Sequence, residues 1–204
     1  MRRLFTLVLI LCALTATASA QDLSSFYIGI KGGLNHNRIL GDDLEDFEGY
    51  DYLNAYAFGV FFQYNVHPRF AIAPEVYYSV RGTRETGIAE GDIEWQLGYV
   101  DIPVLFRILF PTRSTVTPCV YAGGYFAYLV TADNGSGDVM DDFNNSDAGV
   151  VIGGSVDLML RGGSQLVNLD VRFTHGLVRV LAADDVPDAY NNGFQFLLGF
   201  GFSL

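Results

Sequence analysis

The chain closes on NNGFQFLLGFGFSL, Asn191 to Leu204, in which Phe194, Phe196, Leu198, Phe200, Phe202 and Leu204 occupy every second position. Between them stand Gln195, Leu197, Gly199, Gly201 and Ser203. A period of two marks a β-strand whose faces meet different surroundings. Here one face is large and mostly aromatic, the other mostly small or polar. A soluble barrel turns its bulky face inward and wets the outside, whereas a membrane barrel turns its bulky face to lipid. The rest of the chain decides between them.

Working back from this strand, the same alternation recurs near 24–34, 54–65, 69–81, 94–109, 116–131, 147–160 and 165–178, with the closing strand at 192–203. No amphipathic helical pattern of useful length competes. The connections NVHPR (65–69), FPTRS (110–114) and RGGS (161–164) are short and carry the Pro, Gly or Ser of tight reversals. The others, 35–53, 82–93, 132–146 and 179–191, are long and polar. Short and long alternate strictly, so the long ones share one end of an up-and-down meander. An even strand count, short periplasmic turns and long external loops are the plan of bacterial outer-membrane barrels. The expected fold is all-β: an eight-stranded antiparallel up-and-down transmembrane β-barrel.

The faces point the same way. In 54–65, Tyr56, Phe58, Val60, Phe62 and Tyr64 form an apolar stripe with a tyrosine at each end, opposite Ala55, Ala57, Gly59, Phe61, Gln63 and Asn65. Tyrosines at both ends fit aromatic girdles at headgroup level. In 165–178, Val167, Leu169, Val171 and Phe173 oppose Asn168, Asp170, Arg172 and Thr174. A one-residue slip would turn every side chain over, and Arg172 at the lipid midplane would cost about 2–4 kcal/mol. The inward charges are then Lys31, Glu75, Arg81, Asp101, Arg107, Asp157, Asp170 and Arg172, four of each sign. Eight strands leave a lumen just wide enough for side chains, so these groups are expected to pair and plug it. Pro74, Pro103 and Pro118 interrupt the ladder and are expected at bulges or strand ends.

The start, MRRLFTLVLILCALTATASA, has two arginines, an apolar run and the ending Ala18-Ser19-Ala20, the layout of a secretory signal peptide. Residues 1–20 are read as a cleaved signal and 21–204 as one outer-membrane β-barrel domain. Leu11 precedes Cys12 where a lipoprotein signal wants a small residue, which argues against lipidation. The mature chain keeps only Cys119, so it has no intramolecular disulfide. No later segment reaches the ~18 consecutive apolar residues of a membrane helix. With 23 Asp and Glu against 12 Lys and Arg, nucleic acid is not an expected partner.

Several segments together resemble the PorT-like outer-membrane β-barrel family of Bacteroidetes: YVDIPVLFR (Tyr99–Arg107), PCVYAGGYFAYLV (Pro118–Val130), DAGVVIGGSVDL (Asp147–Leu158), LDVRFTHGL (Leu169–Leu177) and FQFLLGFGFSL. The element Tyr99, Asp101, Ile102, Pro103 is the most specific, and the resemblance makes Pro103 expected. Arg172, Phe173, Gly176 and Leu177 match a second element, with Phe173 where tyrosine is usual. Leu204 ends the chain where many outer-membrane barrels have phenylalanine. The resemblance implies recognition of the last strand by the barrel-assembly machinery. The secretion role of the family's named member is not carried over.

The remaining motifs offer few catalytic or metal-binding candidates. His36 and His67 read as solvated loop and turn residues. His175 adjoins Thr174, but neighbours on a strand face opposite ways, so Thr174 is not its nucleophile. The acidic loops GDDLEDFEGYD (Gly41–Asp51) and DNGSGDVMDD (Asp133–Asp142) lack the spacing of a calcium loop and read as a solvated rim. The pairs Gly32-Gly33, Gly123-Gly124 and Gly153-Gly154 lack a following helix, so they relieve crowding or permit strand coiling rather than cradle phosphate.

The expectation is therefore a non-enzymatic bacterial outer-membrane protein with a plugged lumen and acidic external loops, serving envelope integrity or surface interaction. No cofactor or metal is expected. Its partners are outer-membrane lipid, lipopolysaccharide and the assembly machinery, and the sequence names no external protein. The alternatives are a porin-like conduit or binder of small molecules, and a lipid-modifying enzyme centred on His175.

Overall fold

The computed structural model describes residues 25–41, 50–85, 93–135, 137, 139–140, 143–181 and 188–204. Strands β1 (Phe26–Gly41), β2 (Tyr50–His67), β3 (Phe70–Glu85), β4 (Ile93–Leu109), β5 (Val116–Asp133), β6 (Ser146–Leu160), β7 (Gln165–Gly176) and β8 (Ala189–Ser203) form a closed antiparallel barrel in sequence order. β8 closes on β1 from Tyr27↔Ser203 to Gly41↔Ala189. Residues 1–20, read as the signal peptide, residues 42–49 of the first acidic loop and residues 136, 138, 141 and 142 of the second lie outside the described residues.

The closing seam settles which face is which. Phe196 and Phe202 are about half exposed, at 50% and 49%, while Lys31 between the aromatic positions of the facing strand is buried. The same holds around the wall: Phe106 and Leu169 are exposed and the neighbours on both sides of each are buried. A continuous apolar belt of this size is not a surface that water stabilises. Aromatic pairs end the belt at the short-turn side, where Phe26 stacks on Tyr64 with centroids 4.6 Å apart. On the loop side Tyr56 and Phe58 meet Tyr78 at 6.3 and 5.6 Å.

The strands run further toward the loop end than the alternation does. The segment 35–41 continues β1, and β2 begins at Tyr50, with rungs such as His36↔Asn54 and Asn37↔Leu53. The expected loops 35–53, 82–93, 132–146 and 179–191 are correspondingly shorter. Beyond an apolar belt both faces of a strand meet polar groups, so hydrophobic periodicity stops while the backbone ladder continues. β7 is the exception in height: it spans 12 residues against 18 in β2 and β5.

The prolines do not sit at bulges. Pro74↔Val104 and Tyr77↔Asp101 share one register, and the rungs between them are simply unpaired. Pro103↔Tyr125 and Pro118↔Val156 lie within continuous ladders. A proline forfeits one N–H, and the carbonyls on either side hold the register. The irregularities fall instead at Tyr52/Ala57, Asn65/His67 and Gly98/Tyr99. The glycine pairs divide between the faces. A Cβ on inward Gly33 would lie 1.9 Å from the Phe196 carbonyl oxygen, whereas outward Gly32 has nothing nearer than 3.3 Å. Close backbone approach on the concave side is what requires glycine.

Candidate functional site

Because alternate residues of every strand point inward, the lumen collects the polar set of the whole chain. All eight expected charges face it, and Asp147 joins them; each of the nine is exposed by 5% or less. They fall into layers between two apolar ends. At the short-turn end Tyr27, Phe61, Met159 and Leu166 pack together, and the Tyr27 hydroxyl donates to the Gly163 carbonyl at 2.8 Å.

Above that floor, Arg107 Nη2 reaches both Asp157 oxygens at 3.0 and 3.1 Å and Ser155 Oγ at 2.7 Å. Its Nη1 donates to Gln63, and Asn168 Nδ2 donates to Asp157 Oδ1 at 2.6 Å. The middle layer is a closed ring of four. Lys31 Nζ donates to Glu75 and Asp170 at 2.7 and 3.0 Å, and Arg172 donates to the same two carboxylates at 2.7 Å each. The Tyr121 hydroxyl donates to Asp170, and the rings of Tyr77 and Tyr121 lie 5.6 and 5.8 Å from the Arg172 guanidinium. Two cations balance two anions, and removing charge from water is tolerable only with such saturation.

The upper layer is not balanced. Arg81 donates to Asp101 and Asp147 at 2.5 and 2.9 Å and lies between the rings of Tyr99 and Tyr125, 5.2 and 4.8 Å from their centroids. Asp147 Oδ2 also accepts from Tyr125 at 3.0 Å and Asn191 at 3.2 Å. The Oδ1 atoms of Asp101 and Asp147 have no hydrogen-bond partner. Sequence reasoning missed Asp147 because it stands at the foot of the expected loop; its shared parity with Asp157 is the signal that would have found it.

An apolar cap follows, also absent from the sequence reading. Phe143 and Val180 are buried on Leu97 and Leu129, with Trp95, Met140 and Leu181 packed against them. Phe143 bridges to Leu181, and the Asn144 side-chain amide donates to the carbonyls of Arg179 and Leu181 at 2.8 and 3.1 Å. Thus parts of two loops read as solvated turn their apolar residues down onto the mouth.

His175 is exposed on the outer wall with Nδ1 against Asn192 Oδ1, while Thr174 faces inward and donates to the Gly193 carbonyl at 3.4 Å. His67, expected in a turn, is the last residue of β2; it is exposed and accepts from the Arg69 amide. His36 is a strand residue, not a loop residue, and its ring stacks on Tyr52. Among the described residues no three His, Cys, Asp or Glu side chains are placed to hold a metal ion.

Known structures share this architecture. Neisserial surface protein A aligns with a TM-score of 0.58 at 12% identity, covering 89% of this chain and 98% of that one. Outer membrane protein W of E. coli gives 0.53 at 16% identity, covering 89% and 98%. OprG of Pseudomonas aeruginosa gives 0.51 at 14%, covering 91% and 100%. At such identities the likeness is one of fold. No curated protein matches the chain. The model of the outer membrane protein beta-barrel domain family matches residues 18–182, so the chain belongs to that family and is a protein of the bacterial outer membrane.

Proposed function

We propose that this protein is a non-conducting, non-enzymatic barrel whose lumen is plugged by its own side chains, and that it serves envelope integrity or surface interaction through its wall and external loops. The observation that carries this reading is the stack of charge layers between two apolar ends. Every luminal cation is engaged by at least one carboxylate within 3.0 Å, so a permeating ion would have to displace a saturated partner. In this reading residues 1–20 are the cleaved signal, the last strand addresses the barrel-assembly machinery, and the PorT-like branch is the nearest part of the family.

The test is electrical. Refolded mature protein in planar bilayers should give no steady single-channel current, and a reproducible open level would overturn the plugged lumen in favour of a conduit. Insertion is checked separately by a change in gel mobility on boiling, so silence from an unfolded sample is not mistaken for closure.

A further inference from the structure

The chain carries a net charge of −11, yet one sector of its outer wall is basic. On β7, β8 and β1 the described outward positions hold no aspartate or glutamate. Their only ionisable groups besides tyrosines are His36, Arg38 and His175, and these lie together. The guanidinium of Arg38 lies 5.0 Å from the centroid of the Tyr52 ring, and the His36 ring stacks on Tyr52 at 4.3 Å, tilted by only 6°. Arg38 pairs in register with Asn192, which pairs in turn with His175. His36 and Arg38 thus stand two residues apart on β1, and His175 lies two strands away on β7 with Asn192 of β8 between, at about 4.8 Å per strand.

Each is held in place by a neighbour, and none is closed by a described carboxylate. Nδ1 of His36 meets Asn54 Oδ1 at 2.7 Å and Nδ1 of His175 meets Asn192 Oδ1 at 2.5 Å, so the asparagines engage one nitrogen of each ring and leave Nε2 as the other. No described carboxylate pairs with the Arg38 guanidinium, whose Nε is buried without a hydrogen-bond partner. Asp51, the nearest acid along β2, instead accepts from the Tyr52 amide. Elsewhere on the wall the arrangement differs: Arg84 is closed onto Glu94 at 2.5 Å.

The height of the row identifies what it faces. From Phe26, in the lower aromatic girdle, His36 is ten residues along β1. At ~3.3 Å per residue and a tilt of about 40° that is a climb of about 25 Å, the height of the apolar band. The row stands at the outer headgroup level, directly above an exposed apolar platform of Leu34, Tyr56 and Phe194. Cations above an acyl-chain surface complement a lipid that carries phosphate, the anion that arginine and imidazolium bind by charge-assisted hydrogen bonds.

We propose that His36, Arg38 and His175 form a binding site for the phosphate of an outer-leaflet lipid headgroup, with Tyr52 and Asn192 as the positioning residues between them. The site is on the outside of the barrel and is independent of whether the lumen is closed.

The experiment uses the refolded mature protein in phosphatidylcholine nanodiscs doped with lipid A, either phosphorylated or enzymatically dephosphorylated. After exchange into neutral detergent, the lipid retained per protein is measured by mass spectrometry. The wild type should retain the phosphorylated form at least about fivefold over the dephosphorylated form. Arg38→Gln should lose most of that preference and the triple variant with His36→Gln and His175→Gln all of it, while Arg84→Gln keeps it. Equal retention of the two lipids by the wild type, or an undiminished preference in Arg38→Gln, overturns the proposal. If the triple variant fails to fold, as read by gel mobility, those two comparisons still decide.

Discussion

Arg81 and Arg38 are the same residue type on strands of the same barrel, and their surroundings are opposite. Arg81 points inward, is 2% exposed, and has two carboxylates and two aromatic rings around it. Arg38 points outward, has one ring, and has no carboxylate among the described residues. The inner wall pairs its charges because an isolated charge in a narrow lumen costs several kcal/mol. The outer wall at headgroup level has water and lipid phosphate for that purpose, so a cation there needs no partner from the chain. Which face a residue occupies, set by a period of two, decides whether its charge must be answered within the protein.

Within the lumen the contrast can be broken most sharply by comparing two aspartates. Asp157 is the only carboxylate bound to Arg107, so Asp157→Asn strands a buried guanidinium and should cost about 3–5 kcal/mol. Asp101 shares Arg81 with Asp147, which keeps its own bonds from Tyr125 and Asn191. Asp101→Asn relieves a like-charge contact and should cost about 1 kcal/mol or less. Urea unfolding in vesicles, followed by the fluorescence of the single tryptophan Trp95, measures both. Equal losses would mean that the layers are not separate electrostatic units.

The next effect tests the outer face. Val171 stands in the middle of β7 beside Arg172 and is 47% exposed. Val171→Arg places at the lipid midplane the charge that its neighbour carries inside, and should cost about 2–4 kcal/mol, whereas Val171→Leu should be near neutral. The same unfolding assay applies, and a harmless Val171→Arg would contradict contact with acyl chains.

The fold was legible where the two faces meet unlike media. Phe194 to Phe202 alternate with small and polar residues because lipid lies on one side and a crowded axis on the other, and the pattern gave the strand, its orientation and the inward charges. It faded at His36 to Gly41 and at Tyr50 to Leu53, where pairing continues but neither face meets acyl chains. The lid of Phe143 and Val180 was illegible for a different reason: single apolar residues in polar loops have no period, and only tertiary contact shows where they point. The lateral row of His36, Arg38 and His175 depends on register between β7, β8 and β1, which no single strand encodes.

The smallest expected effect concerns a wall cation that does have an acid. Arg84 and Glu94 pair across β3 and β4 beyond the outer girdle, with side chains 39% and 37% exposed, and the hydrogen bond from Arg84 holds the Glu94 carboxyl below its usual range. Stability gained this way is present above the unfolded carboxylate range and is lost as pH falls through the lowered folded value. Solvent screens an exposed pair, so Arg84→Gln should cost at most about 1 kcal/mol, and less at high salt. Arg38→Gln should change stability still less in zwitterionic detergent, because it breaks no ion pair, but should destabilise the barrel when phosphorylated lipid is present and bound. Unfolding midpoints of the two variants with and without that lipid separate the cases: the Arg84 difference should stay fixed as lipid is added, and the Arg38 difference should grow with it. If the two respond alike, the outward row is an ordinary polar rim, and the contrast between Arg38 and Arg81 reduces to burial alone.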